Sequence, residues 1–386
     1  MQILSDFYFF VLAAAAVIPA LVLGAKEKSL KYYTFAVTVM FLGLAMKSAP
    51  ETAVFMAGYC AYQYILIRAF LRITKIKGRR KGVYRICILL SLLPLILNKV
   101  FAAFEISVPG FIGISYMSFK SVQMLIEIYD GIIGKTDFFE FLNFLIFFPT
   151  VVSGPIDRSR RFGDDFNRIL PRKEYLDLAG RGLFKICLGI LYKFTLGAAA
   201  YQAVVWTGKE DALIWNVLYM YSYGVYLFFD FAGYSLMAAG LGYIFGIEVP
   251  DNFNKPFISR DIKEFWDRWH ISLSHWFRDF VFTRFMMNAI RNKWFDSRLS
   301  AAACGFIINM GLMGVWHGID ISYIIYGLYH GTILALTEVY QKKSMFYKKH
   351  KKEKLYIAAS WFVTFNLVMF GFFIFSGRFI RLIGLN

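Results

Sequence analysis

The sequence is poor in the residues that perform chemistry in many soluble enzymes. Its 386 residues include only four cysteines and five histidines, and charged residues make up 18% of the chain, against about a quarter in typical globular proteins. Cys60, Cys87, Cys187 and Cys304 show no Cys-x-x-Cys spacing, so neither a zinc site nor a disulfide framework is indicated. We interpret them as small buried hydrophobic residues, and we expect no bound metal and no bound cofactor.

The sequence also lacks the common nucleophile and phosphate motifs. It contains no Walker-type glycine loop, no Gly-x-Ser-x-Gly elbow and no His-Glu-x-x-His pair. Without a candidate serine or cysteine nucleophile, the sequence favours direct transfer from an activated donor, which needs a base and positioning rather than a covalent intermediate.

What the chain has in abundance is apolar sequence, since 58% of its residues are hydrophobic. About 20 such residues cross a bilayer as a helix. The clear segments are Phe7–Leu23, Thr52–Phe70, Ile86–Phe104, Leu183–Trp206, Leu299–Val315, Ile321–Tyr340 and Leu355–Ser376. Weaker ones are Tyr32–Met46, Phe111–Ile133, Phe138–Val152 and Asp211–Ile247, the last long enough for two helices. We predict an all-α polytopic membrane protein with about 10–12 hydrophobic helices, some re-entrant, in one domain over residues 1–386.

The net charge of +17 follows the membrane topology. Basic residues cluster in the gaps between apolar segments, at residues 26–31, 75–85, 158–161 and 342–354. This is the positive-inside pattern, which places those gaps in the cytoplasm and argues against nucleic-acid binding. Asp6, with no basic residue before it, favours a retained first helix over a cleaved signal peptide. The N-terminus is then expected outside the cell, and the protein in a bacterial plasma membrane.

Topology also predicts a segment that does not cross. Three apolar segments separate two basic clusters that both belong in the cytoplasm, so one segment must fail to span. The run Phe147–Pro155 contains two prolines and a glycine, which break helices. We predict a buried non-helical turn there, which implies an internal cavity.

A second irregular region is Ser259–Asn288. Its large apolar residues repeat at three- and four-residue spacing: Trp266, Trp269, Leu273, Trp276 and Phe280. The pattern predicts one amphipathic helix at the membrane interface, with an N-cap start at Ser259, which Asp261 and Ile262 follow.

Two of the five histidines are candidates for catalysis. His317 ends an apolar run and is flanked by Gly314 and Gly318; desolvation would keep its imidazole neutral and able to act as a general base. A structural histidine bonded to a carbonyl is the alternative. His270 lies among tryptophans and is a second catalytic group, a substrate-positioning group or an interfacial histidine that orients the helix. We interpret His275 and His330 as structural. His350, in a lysine run, is interpreted as solvated.

Asp230 is the acidic residue that stands out, because its neighbours are apolar. A carboxylate in such surroundings must pair with another group or face water.

Several of these motifs together resemble a known family. Trp316-His317-Gly318 combined with Phe265–Asp279 is similar to the membrane-bound O-acyltransferases. Within them, Ile114–Lys120 and Phe148–Arg158 resemble the branch that transfers D-alanine to teichoic acid, the DltB branch. The resemblance covers about residues 110–340. His275 departs from it, because the family often has a small hydroxyl residue there.

The resemblance implies a mechanism and partners. D-Alanine would arrive as a thioester on the phosphopantetheine arm of a small acidic carrier (DltC-like), entering a tunnel from the cytoplasm. His317 would be the catalytic histidine where this tunnel meets an outward-facing funnel, and His270 matches the second histidine. Further implied partners are DltD-like and DltX-like proteins, teichoic acid and membrane lipids. Candidate tunnel-lining residues are Asp230, Trp316, Trp269 and Ser153, and candidate carrier-docking residues are Arg260, Lys263, Arg278 and Arg284.

The sequence is also compatible with two other functions. A polysaccharide O-acetyltransferase of the alginate type shares both histidine motifs. A transporter could use Asp230 and the histidines for ions, although it would usually show an inverted repeat, which we do not find.

Overall fold

The computed structural model describes residues 7–104, 106 and 110–385, so that Asp6 lies outside the described residues. Of the described residues 78% are helical, and no β-strand occurs among them. The first helices are α1 Phe7–Ala25, α2 Lys31–Ala45, α3 Pro50–Lys77, α4 Lys81–Ala103, α5 Ile114–Asp130, α6 Phe138–Ile146, α7 Ser159–Asn167, α8 Arg172–Ile190, α9 Ala198–Thr207 and α10 Leu213–Ile244. They are followed by α11 Ile262–Trp266, α12 Ile271–Phe277, α13 Thr283–Arg291, α14 Arg298–His317, α15 Ile321–Lys343, α16 Met345–His350, α17 Lys354–Phe375 and α18 Arg378–Leu382. Leu191–Gly197 and Arg278–Phe282 are π-helical, and Pro256–Ile258 forms a 3₁₀ turn.

Seven of the described helical stretches are long and apolar enough to cross a membrane. They are Tyr8–Ala25, Pro50–Lys77, Lys81–Ala102, Arg172–Thr207, Leu213–Ile244, Arg298–His317 and Lys354–Phe375. The predicted all-α polytopic class is therefore confirmed. α15, predicted as a span, has the length but is too polar to join these seven.

Two expectations from the sequence, one on the longest apolar segment and one on the cysteines, are wrong. Asp211–Ile247 does not hold two helices, because α10 runs unbroken for 32 residues, about 48 Å at 1.5 Å per residue. The helix is unbroken because it contains no proline, and it is longer than the bilayer's hydrocarbon core of about 30 Å. The cysteines are also not uniformly buried: Cys60 and Cys87 are, but Cys187 is exposed on α8 and Cys304 is intermediate.

The chain divides into two compact units, each discontinuous in sequence. The first comprises Met1–Ile190 and Tyr234–Asp251, and the second comprises Leu191–Gly233 and Asn252–Asn386. The single domain expected over residues 1–386 stays a prediction.

The first unit contains the predicted non-helical turn. α6 ends at Ile146, and turns follow through Ser153. The carbonyl oxygens in the last turn of a helix lack intrahelical partners. Lys120, buried on α5, supplies one: its Nζ donates to the Phe144 carbonyl at 2.7 Å and approaches Thr150 Oγ1 at 3.5 Å. The turn is thus held by a buried lysine from the stretch Ile114–Lys120 that the resemblance singled out.

In the second unit, glycines bring α14 and α15 into backbone contact. A Cβ on Gly327 would lie 2.4 Å from the Met310 carbonyl oxygen, and one on Gly331 would lie 2.8 Å from the Ile307 Cα. Gly327 and Gly331 form a Gly-x-x-x-Gly spacing, a common device for close packing of membrane helices. This packing fixes the end of α14, which carries His317.

The predicted amphipathic helix over Ser259–Asn288 is wrong as a single element. Its tryptophan and leucine positions are buried as the pattern indicates, but the helix breaks between Trp266 and Ile271. Its first part begins at Asp261, whose carboxylate accepts from Lys263 N and Glu264 N, so the cap is Asp261 and not Ser259. The break arises because the distant segment 252–254 pairs with the backbone of 268–271.

Candidate functional site

His317 is the last residue of α14 and lies in an aromatic setting. Its ring centroid is 5.2 Å from that of Phe375 on α17, 6.1 Å from Tyr323 and 6.3 Å from Tyr326 on α15. The side chain is half-buried. The imidazole is therefore packed among aromatic rings while part of its surface stays accessible, as a group that meets a substrate requires.

His270 is the residue that precedes α12, and its backbone lies in the left-handed region. Its backbone has φ 45° and ψ 51°, a left-handed conformation that is uncommon outside glycine, although histidine is among the residues enriched in it. The side chain is 4% exposed, and its Nε2 atom has no hydrogen-bond partner. The Phe231 ring contacts it edge-on at 4.6 Å. Uncommon backbone at a buried, unpartnered imidazole is typical of functional sites.

Asn252 holds the backbone around His270. Its carbonyl accepts from Ile271 N at 2.9 Å, and its side-chain Oδ1 accepts from Ser272 Oγ at 2.6 Å and Ser272 N at 3.2 Å. Both Asn252 and Ser272 are buried. The amide therefore caps the first turn of α12 from a distant part of the chain. No local sequence signal marked Asn252, because its role depends on the pairing of two separated segments.

The structure brings the two candidate histidines into electrostatic contact. The pKa of His270 lies well below its ordinary value, first because burial disfavours the imidazolium and second because of His317. His270 is therefore a neutral imidazole at pH 7. The second unit thus presents a fully buried neutral imidazole together with a half-buried one.

A cavity of about 270 Å³ lies beside the same helices. It is lined by Lys263, Trp266, Asp267, Ser274, His275, Arg278, Phe282, Phe306, Asn309, Met310, Met313 and Leu334. Met313 precedes His317 by four residues, so it lies one turn earlier on the same face of α14. Two basic side chains and several apolar ones therefore line a space that approaches the catalytic candidate.

The predicted lining residues have the following surroundings. Asp230 forms an ion pair with Lys193 on the π-helical segment, which provides the partner that its apolar flanks require. Trp269 is buried against Phe372, with ring centroids 4.7 Å apart. Trp316 is half-buried, and its ring lies 4.8 Å from that of His317. Ser153 belongs to the first unit, where its N–H donates to the Tyr234 hydroxyl at 3.2 Å. Their roles as lining residues stay predictions.

The predicted docking residues differ in their ion pairs and in their exposure. Lys263 forms an ion pair with Glu338, and Arg260 donates to Glu264 at 3.1 Å. Arg278 is half-exposed and shares its charge with two acids, the nearer at 3.2 Å. Arg284 is half-buried on α13.

His330 is more enclosed than any other histidine in the described structure. It is fully buried, neither ring nitrogen has a partner, and its ring lies 4.7 Å from that of Tyr326 and 5.2 Å from that of Trp266. This agrees with the interpretation of a packed polar group. His275 lines the cavity described above, and His350 contacts Glu353 at 2.8 Å.

Comparisons with known proteins agree on one family. The model of the membrane-bound O-acyltransferase family matches residues 52–377. A teichoic acid D-alanyltransferase of Bacillus subtilis is 38% identical over 97% of this chain and 98% of its own length. One of Streptococcus thermophilus is 38% identical over 96% of this chain and 94% of its own. A probable alginate O-acetylase of Pseudomonas aeruginosa is 34% identical, over 69% of this chain and 49% of its own length.

Proposed function

Because the chain belongs to the membrane-bound O-acyltransferase family, we propose that it transfers D-alanyl groups from a carrier thioester to hydroxyls of teichoic acid. Family membership makes the protein an acyltransferase and removes the transporter alternative. The observation that carries the choice of acyl group is similarity along nearly the whole chain to relatives named teichoic acid D-alanyltransferase.

In the proposed reaction His317 acts as the general base. Its imidazole accepts the proton of the acceptor hydroxyl while the alcohol oxygen attacks the thioester carbonyl carbon. The C–S bond then breaks, and the imidazolium returns the proton to the departing sulfur. The half-buried side chain supports this role, because part of the imidazole stays accessible to a substrate.

His270 has a second role in this proposal. Its imidazole is buried and neutral, so it adds no positive charge beside His317. Its unpartnered Nε2 is also available for a substrate hydrogen bond. Asn252 positions it through α12 and touches no substrate in this scheme.

The donor arrives as D-alanyl phosphopantetheine on an acidic carrier protein. The cavity of about 270 Å³ supports this, because Lys263 and Arg278 line it together with Met310 and Met313 near His317. Lys263 and Arg278 are ion-paired here, and an acidic carrier or a phosphodiester would compete with their carboxylate partners, whereas the apolar interior suits a slender arm. We further propose that this side faces the cytoplasm, that the N-terminus faces outward, and that DltD-like and DltX-like proteins act with the chain.

One observation supports the alternative function of a polysaccharide O-acetyltransferase, namely the similarity to alginate O-acetylases. That similarity leaves about half of those relatives' length unmatched, whereas the D-alanyltransferases are matched almost completely. D-Alanyl transfer is therefore the better-supported reading.

The test supplies purified full-length protein, in vesicles containing lipoteichoic acid, with two labelled donors. One is D-alanyl carrier protein and the other is an acetyl donor, offered with teichoic acid or a polyuronate glycan as acceptor. The proposal expects label on teichoic acid from the D-alanyl donor only. Label on the glycan from the acetyl donor, with none from D-alanine, would replace it by the second candidate.

A further inference from the structure

A second and larger cavity in the same unit lies apart from both candidate histidines. Its volume is about 490 Å³, within the range of small-molecule sites. α15 and α17 form its long walls, and the start of α11 and helix α16 close one end. The two ends of the cavity differ in chemistry, which indicates the kind of ligand that fits.

One end of the cavity is cationic. Arg260, Lys351 and Lys352 line it, against a single carboxylate, that of Asp261. This carboxylate is already engaged, because it caps α11 and accepts from Gln341 Nε2 at 3.0 Å. Arg260 shares its charge with Glu264 outside the cavity. Lys351 and Lys352 are exposed, and no ion pair involves either of them in the described part of the chain. The cavity therefore holds excess positive charge.

Tyrosines mark the level of the membrane interface at this end. The rings of Tyr340 and Tyr347 are 5.6 Å apart, those of Tyr347 and Tyr356 are 6.1 Å apart, and all three residues line the cavity. Tyrosine is enriched where headgroups meet hydrocarbon. The cationic end thus lies at headgroup depth, on the side that the positive-inside rule assigns to the cytoplasm.

The other end is apolar and runs along a membrane span. Ile333 from α15, with Val363 and Leu367 from α17, lines it. Leu367 lies 13 residues beyond Lys354, the first residue of α17, which is about 20 Å at 1.5 Å per residue. The apolar wall therefore descends from the interface well into one leaflet, a depth that a fatty acyl chain reaches.

We propose that this groove binds an anionic phospholipid of the inner leaflet. The phosphate lies among Arg260, Lys351 and Lys352, and an acyl chain follows α15 and α17 past Val363. A protein partner fits less well, because the apolar wall continues into the hydrocarbon region, where no soluble domain reaches. The proposal goes beyond the acyl-transfer function and is tested by binding alone.

The test is native mass spectrometry of the full-length protein in detergent, with added phosphatidylglycerol or phosphatidylcholine of the same acyl chains. We expect about 10-fold preference for phosphatidylglycerol and a loss of about 10-fold in K351Q/K352Q. The matched control K348Q/K349Q removes the same charge from the neighbouring lysines, which do not line the groove, and is expected to bind normally.

A second pair of variants tests the apolar end. V363W fills the groove and is expected to reduce binding of both lipids, whereas F362W, on an exposed position of α17 outside the groove, leaves it unchanged. Equal binding of the two lipids, or equal loss in the two lysine double variants, would overturn the proposal. Displacement of lipid by millimolar inorganic phosphate with no effect of V363W would also overturn it, since the groove would then hold phosphate alone. Normal lipid binding by K351Q/K352Q, with lost binding of an acidic protein, would assign the surface to that partner instead.

Discussion

Gly314 on α14 and Gly327 on α15 face each other with no room for a side chain between them. A Cβ built on Gly314 would lie 2.4 Å from the Tyr323 carbonyl oxygen and 3.1 Å from the Gly327 Cα. Because His317 lies one turn beyond Gly314, this contact sets the position of the catalytic imidazole relative to the tyrosines of α15.

The first prediction concerns this contact. Gly314→Ala should separate the two helices, lower the unfolding temperature and reduce acyl transfer by at least about 10-fold, since overpacking costs typically 1–3 kcal/mol and small displacements impair catalysis. Gly311→Ala is the control on the same helix, because its Cβ would lie 3.6 Å from Leu328 Cδ2, an ordinary contact. Thermal unfolding in detergent and a transfer assay measure both effects. Similar behaviour of the two variants would mean that the close approach does not position His317.

The second prediction concerns the positioning role of Asn252. Asn252→Ala removes the acceptor for Ser272 Oγ and N, so α12 begins less firmly and His270 shifts. We expect kcat to fall by about 10-fold with little change in KM for the charged carrier, because ground-state binding is left intact. Asn292→Ala is the control, since the Asn292 side chain donates to the Asn288 carbonyl at the end of α13, away from α12. A rise in KM with unchanged kcat would show that Asn252 serves donor binding instead.

These residues show where sequence reasoning succeeds and where it stops. Apolar run length located most spans, and two prolines and a glycine correctly predicted the turn after Ile146, because both signals are local. The break at His270 could not be predicted, since the hydrogen bonds that replace the helix come from Asn252 and its neighbours, far away in the chain. The spacing of Trp266 and Leu273 correctly predicted that both side chains are buried, but wrongly predicted that one continuous helix carries them.

The histidines illustrate the same limit at the site. Their rarity and flanking residues were enough to select His317 and His270. The sequence did not contain their surroundings, because Tyr326 and Phe375 reach His317 only after α14, α15 and α17 have packed. The Gly-x-x-x-Gly spacing that begins at Gly327 is visible in the sequence, but by itself it does not identify the helix that packs against it.

The third prediction is a pH dependence of stability due to His270. Its pKa in the folded protein lies well below the ordinary 6.5, so between these two values the unfolded chain binds the proton and the folded protein does not. Stability therefore falls as the pH drops below about 6.5, by up to about 1.4 kcal/mol per pH unit. His270→Gln removes this contribution, and its unfolding temperature should decline less between about pH 7 and pH 5. Parallel curves for the two proteins would contradict a buried neutral His270.

The fourth prediction concerns carrier docking. Arg278 lines the cavity and is half-exposed, and the acids that it pairs with, Asp267 and Asp279, are themselves largely exposed, whereas Lys263 pairs with the more buried Glu338. Arg278→Glu should weaken binding of an acidic carrier several-fold, more strongly at low salt, because rim charges act mainly through long-range attraction. Arg298→Glu, at the start of α14 and outside this cavity, is the charge-matched control. Surface plasmon resonance with the unloaded carrier measures the change. Equal weakening of carrier binding in both variants would show that only the net charge of the protein matters, and would contradict docking at Arg278.

The most direct test of the account is the single-turnover rate of D-alanyl transfer by His317→Ala. The protein is reconstituted in vesicles with teichoic acid and mixed with charged carrier, and carrier binding is measured on the same preparation. Loss of the general base predicts a rate about 10²–10⁴-fold lower, with carrier affinity unchanged. Transfer at the native rate by a correctly folded His317→Ala protein would contradict the central claim that this imidazole takes the hydroxyl proton.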